Sequence, residues 1–147
     1  MSNSETNKVK ELARRLLAYE AASGKPANTK AFAAVRVCKK LRGPLGKILG
    51  NGVFRSLLSR ALALAAAEVS WLRTLQINAD GTLEGLDQLE AKLDSRVSAE
   101  GEVGLLSQLL GLLITFIGPA LTLQLLSDIW PKMDELSFAM EKRHAKS

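Results

Sequence analysis

The sequence predicts an all-α protein: a bundle of five or six helices around one central apolar helix, with a short β-ribbon or an irregular loop near residues 75–85. Three observations carry that prediction. Residues Val103 to Ser127 run for 25 positions without a charge, and a helix apolar on every side has to be surrounded by protein or by lipid. Leu and Ala dominate the chain while aromatic residues make up 5%, a composition that favours helix. The period-2 alternation of a half-buried strand is almost absent.

The elements follow in order. Helix one is expected from about Thr6 to Ala22, with Val9, Leu12, Ala13, Leu16 and Leu17 on one face, capped by Ser4 or Thr6 and stopped by Gly24 and Pro26. Asn28 is a good N-cap for helix two, Thr29 to about Arg42, whose inner face reads Ala31, Ala34, Val35, Cys38 and Leu41. Gly43-Pro44 is expected to interrupt it, leaving one further turn to Leu49. Asn51 is placed to cap helix three, Val53 to about Leu75, with Phe54, Leu57, Leu58, Ala61, Ala65, Val69, Leu72 and Leu75 inward. Its Ala-rich middle makes it thin enough to lie close to the central helix.

Between Gln76 and Gly85 the character changes. A two-residue Asp80-Gly81 turn would set Ile77 opposite Glu84, a poor match. A three-residue Ala79-Asp80-Gly81 connection sets Ile77 opposite Leu83 and leaves Gly81 free to go left-handed. A brief acidic helix is expected from Leu86 to Leu93. The next begins at Ser95 or Ser98 and carries Glu100 and Glu102 in its first turn, where the macrodipole favours negative charge.

The central run would be about 38 Å long as one helix, enough to cross a bilayer. Pro119 and Gly118 predict a kink in it, Gln108 and Gln124 need polar partners, and no Lys/Arg cluster flanks either end. A buried helix in a soluble bundle is therefore the first reading and a membrane-inserting helix the second, with a helix broken in two at Gly118-Pro119 the third. Gly104, Ser107, Gly111, Thr115, Gly118 and Thr122 form a stripe of small residues where another helix could approach closely. Trp130-Pro131 ends the run. A last helix, Pro131 to about Arg143, carries Met133, Leu136, Phe138 and Met140.

At 147 residues, 47% apolar and 24% charged, the chain reads as one helical domain, 1–147, long enough to bury a core without staples. Its single Cys38 excludes an internal disulfide and fits a reducing compartment. The first ten residues are polar, without the apolar core of a signal peptide, so a cytoplasmic protein is expected.

The net charge of +5 hides an asymmetry: residues 1–60 hold thirteen Lys/Arg against three Glu, and residues 61–147 hold seven against twelve acids. A basic set stands out in the first half: Arg36, Lys39, Lys40, Arg42, Lys47, Arg55 and Arg60. Arg36, Lys39 and Lys40 share one helix face at i, i+3, i+4 spacing. An acidic protein surface, anionic lipid or nucleic acid could answer such a set, and so could the acidic half of the same chain or plain solvent.

Chemistry is hard to build from these residues. His144 is the only histidine and lies in a basic tail, Cys38 falls on an inner helix face, and Asp80, Glu84, Asp87 and Glu90 lack the alternating pattern of a calcium loop. Gly43, Gly46, Gly50 and Gly52 lack the strand and Lys-Ser/Thr context of a phosphate loop. No catalytic, cofactor-binding or metal-binding residue is assigned, and no cofactor is expected. No aromatic stands among the basic residues to stack a base. The expectation is a non-enzymatic interaction module whose partner is a protein, ahead of a membrane-active protein inserting its central helix and of a small basic nucleic-acid-binding regulator.

Three segments carry a resemblance: Phe54 to Ala65 (FRSLLSRALALA), Asp80 to Leu86 (DGTLEGL), and Leu109 to Gly118 continuing through Asp128-Ile129-Trp130-Pro131. Together they resemble a group of small bacterial helical proteins over roughly residues 31–131. The resemblance implies a bacterial origin. It brings no activity with it, so no functional residue is carried over.

Overall fold

The computed structural model describes residues 2–23, 33–79, 81, 83–85 and 95–130. Five α-helices make up most of this: α1 (Ser2–Ser23), α2 (Ala33–Leu49), α3 (Asn51–Glu68), α4 (Ser95–Ile117) and α5 (Pro119–Ile129). A 3₁₀ turn, Ser70–Thr74, leads from α3 into an antiparallel ribbon of β1 (Gln76–Ile77) and β2 (Leu83–Glu84). The architecture is a helical bundle carrying a tiny sheet. The expected acidic helix at 86–93 and the last helix from Pro131 lie outside the described residues.

The helices wrap α4. Leu105, Leu106, Leu109, Leu110 and Leu113 are all buried, and α1, α2, α3 and α5 each pack against it. By length and composition, Arg96–Ile117 could cross a membrane; here its leucines are the core that the other helices close over. The inner face of α3 follows the expected spacing, with Phe54, Leu58, Ala61 and Ala65 buried. The inner face of α2 is Ala34, Val37, Cys38, Leu41 and Leu45.

Five local expectations need correction. Helix one begins at Ser2 rather than Thr6, so Ser4 and Thr6 are helical residues and not its caps. The run from Val103 to Ser127 is not one helix, because Gly118 takes φ 91°, a left-handed value that costs residues with a Cβ. Pro119 then opens α5, where its missing N–H is not required. Helix two is not interrupted at Pro44, which sits inside it; the buried Leu41 and Leu45 on either side hold the turn in register against the lost hydrogen bond. Gly50, not Asn51, is the N-cap of α3, and Asn51 is its first helical residue. Helix three ends at Glu68 rather than Leu75, because Val69 is extended and the 3₁₀ turn re-aims Trp71. The Trp71 indole donates to the Val97 carbonyl (3.2 Å) and lies over the buried Gly101, where a Cβ would collide with the ring.

The ribbon has the register expected of the three-residue connection, with Ile77 opposite Leu83 and Gly81 at φ 87°. Gly81 is buried against the Arg42 stem and the Phe54 ring, each 3.5 Å from where its Cβ would stand.

Helix directions follow from the contacts. As α4 rises from Gly101 to Gly104, its neighbours on the other side fall from Trp71 to Val69 and Ala65, so α3 and α4 run antiparallel. One end of the bundle therefore gathers the end of α2, the start of α3, the end of α4 and the start of α5.

Candidate interaction surface

The buried stripe of α1 reads Ala13, Leu16 and Leu17, and its next position is Glu20, only 2% exposed. A carboxylate there needs partners. Lys40 supplies two short contacts, Nζ lying 2.8 Å from Oε1 and 2.9 Å from Oε2. The Trp130 indole N–H donates to Oε2 at 2.9 Å. Arg36 brings Nε to 3.5 Å from Oε1 and donates through Nη2 to the Glu20 carbonyl at 3.1 Å. Lys40 Nζ also stands 6.0 Å from the centre of the Trp130 ring. Burial pushes the Glu20 carboxyl up, but the Lys40 and Trp130 hydrogen bonds and the Lys40 and Arg36 charges outweigh it and hold its pKa below 4.5.

This clasp changes the meaning of the basic set. Arg36 and Lys40 are engaged by Glu20, which belongs to the basic half of the chain and not to the acidic half. Lys39 is exposed beside them. Arg42 and Arg55 flank the ribbon, Arg42 against Gly81 and Arg55 donating to the Asn78 carbonyl at 3.1 Å. Lys47 is exposed near the end of α2 and Arg60 along α3. The seven cations thus divide among a buried clasp, the ribbon flanks and separate exposed positions.

The small-residue stripe divides as well. Gly104 packs on α3, with Ala65 and Val69 at 3.9–4.0 Å from its would-be Cβ, and Ser107 is buried with its hydroxyl on the Gly104 carbonyl (3.1 Å). Gly111 has nothing within 4 Å of a Cβ, and Thr115 is exposed, bonded back to the Gly111 carbonyl at 3.0 Å. Gly118 makes the break, and the buried Thr122 donates to its carbonyl at 2.8 Å. The close approach therefore runs from Gly101, under Trp71, to Gly104, beside Ala65 and Val69, and Gly111 has room that the stripe did not predict.

Glu102 is not in the first turn of its own helix, since α4 starts at Ser95. It serves a different one: its carboxylate accepts the Ala33 and Ala34 N–H groups at the start of α2. Burial pushes its carboxyl up to about 7, against those hydrogen bonds and the Arg36 charge. Cys38 is a core residue whose thiol burial pushes up to about 12, so it is not available as a thiolate. Among the described residues no three His, Cys, Asp or Glu side chains gather as metal ligands. His144 lies outside them.

Two clefts open on the described surface. An open groove of about 520 Å³ runs along α3 between the helix, the 3₁₀ turn and β1. Leu62, Ala66, Leu72 and Leu75 floor it, Ala63 and Ala67 leave its side low, and Arg73 stands at its edge. A second cleft of about 530 Å³ between α1, α3 and α4 mixes Lys10, Arg14 and Arg96 with Glu68 and Glu100, so it presents no single sign of charge. Sequence reasoning missed the groove because it depends on where the 3₁₀ turn places Leu72 and Leu75. It also missed the clasp, although a Glu continuing the stripe of Ala13, Leu16 and Leu17 was a signal in plain view.

Compared with protein-family models, with curated proteins and with solved structures, the chain matches none.

Proposed function

We propose that this protein is a non-enzymatic interaction module that receives an apolar segment of a protein partner in the groove along α3. The groove carries the reading. Alanine at 63, 66 and 67 lets a partner's backbone approach closely, the leucine floor rewards apolar side chains, and Arg73 favours a carboxylate at the segment's edge. An amphipathic helix with an acidic flank has that chemistry. Insertion of α4 into a membrane has less support, since it would strip five buried leucines from their neighbours. Recognition of nucleic acid has less again, because the cations do not form one continuous face.

The test is affinity capture from the native host with wild type and with Ala63→Glu and Ala67→Glu. Both positions are exposed, so thermal stability should hold within about 0.5 kcal/mol while capture of the wild-type partner disappears. Capture that survives both substitutions sinks the groove as the binding site.

A further inference from the structure

The α3 groove shares part of its floor with a second, much smaller space. Val35, Trp71, Leu72, Leu75, Leu83 and Leu105 wall a cavity of about 10 Å³, and the ionisable group in its lining is Glu102. Leu72 and Leu75, both buried, line the groove and this cavity alike. Whatever moves these two leucines for the sake of Glu102 also reshapes the groove.

Each element around Glu102 brings something different to it. From α2 come the Ala33 and Ala34 N–H groups and the Arg36 charge, and Arg36 is shared with Glu20 of α1, whose Oε1 lies 3.5 Å from its Nε. The 3₁₀ turn and the ribbon bring only apolar side chains to the cavity; Arg73 and Glu84, the charged neighbours of Leu72 and Leu83, are exposed, as is Glu100 on α4. Burial outweighs the favourable contacts and raises the carboxyl to about 7. An ionised carboxylate needs hydration or further donors, yet the cavity is about the least that one water occupies. To admit more, a wall has to give. Val35 and Leu105 stand on helices of 17 and 23 residues. Trp71, Leu72, Leu75 and Leu83 stand on or beside a five-residue 3₁₀ turn and strands of two residues. That second wall has the fewest bonds to break.

We propose that Glu102 is a proton-controlled switch for the α3 groove: as the acid it lets Leu72 and Leu75 close the floor, and as the carboxylate it draws in water and loosens them. This regulation rests on the groove being the binding site. The groove then holds an apolar segment more tightly below neutral pH than above it. Linkage makes the effect reciprocal: a segment seated on the closed floor favours the acid form, so binding near neutral pH takes up protons.

The experiment is a fluorescence titration of the full chain with 1-anilinonaphthalene-8-sulfonate at about pH 6 and about pH 8.5. Its apolar rings suit the leucine floor and its sulfonate suits Arg73. Ala67→Glu should abolish dye binding, which places the dye in the groove. Wild type should then bind it more weakly at the higher pH, by up to about thirtyfold, the excess of carboxylate over acid for a group that titrates at about 7. Glu102→Gln should keep the acid-form affinity at both. A wild-type affinity that ignores pH, or a Glu102→Gln variant that keeps the wild-type dependence, would overturn the proposal. Methyl NMR of Leu72 and Leu75 without dye reads the floor directly, alongside the carboxyl signal of Glu102. The methyl resonances should follow the carboxyl through its titration. Methyls that stay still, or a carboxyl that does not change state across this range, would overturn the switch whether or not the variant folds. Absent dye binding, or binding that Ala67→Glu leaves intact, counts against the groove instead, and the methyls alone then decide the switch.

Discussion

Glu20→Gln and Glu20→Ala give the sharpest measure of the clasp. The carboxylate is buried, yet its main cation is not: the Lys40 side chain keeps 47% of its surface exposed. Removing Glu20 therefore does not strand a buried ammonium, and the 3–5 kcal/mol cost typical of breaking a buried pair is an upper bound here. What it does strand is the indole N–H of Trp130, a residue 2% exposed, and a buried donor left unsatisfied costs about 1–3 kcal/mol. The lost Lys40 contact adds about 1 kcal/mol at its exposure. Glu20→Ala should therefore cost about 3 kcal/mol, and Glu20→Gln, which keeps an acceptor for Trp130, about 1–1.5 kcal/mol.

The pH dependence adds a second signature. Because the folded pKa of Glu20 lies below 4.5, its contribution is fully present above the unfolded value and is lost as pH falls through the folded one. Urea unfolding of wild type and both variants between about pH 3 and about pH 8 reads both effects. The difference between wild type and Glu20→Gln should shrink as the medium turns acid. A Gln variant as stable as wild type at neutral pH would refute the clasp as a source of stability.

Two further outcomes can be read from the same unfolding curves. Gly101→Ala should destabilise by about 1–3 kcal/mol, because the Trp71 ring occupies the space its methyl needs, whereas Gly111→Ala meets nothing and should stabilise by up to about 1 kcal/mol. Glu102, with its carboxyl raised to about 7, acts oppositely to Glu20: its contribution is complete below the unfolded value and is lost as pH rises through the folded one. Glu102→Gln should be neutral near pH 5 and stabilising by about 1 kcal/mol at pH 8, discounted for its partial exposure; a variant with the wild-type pH profile would show that Glu102 does not titrate in this range.

Much of the fold could be read from local pattern. Apolar spacing identifies Phe54, Leu58, Ala61 and Ala65 on the inner face of α3 and misses Ala66, and the mismatch of Ile77 with Glu84 was enough to choose the ribbon's register. Boundaries were less legible, because they are decided by tertiary contacts. Whether Pro44 breaks α2 depends on what Leu41 and Leu45 are packed against, and whether α3 continues past Glu68 depends on a tryptophan finding Gly101. The basic set was legible as composition and misleading as geometry. Spacing placed Arg36 and Lys40 on one face, but the carboxylate they face arrives from another helix. The small-residue stripe failed for a related reason: periodicity says which residues share a side of a helix, and only the neighbour's path says how far along that side it stays close. The α3 groove left no trace in the sequence, since its floor is assembled from two elements whose junction is irregular.

The Glu20–Trp130 hydrogen bond joins residues 110 positions apart, and this has a consequence for the order in which the molecule is made. During synthesis α1, α2 and α3 leave the ribosome long before residue 130 does, so Glu20 has Lys40 and Arg36 for company well before its third partner exists. The nascent bundle therefore holds a half-built polar cluster and an open flank over its leucines until α5 turns back at Gly118. Trp130 is the last of the clasp's members to arrive. Closure of that flank therefore waits on residue 130, whichever helices have already met.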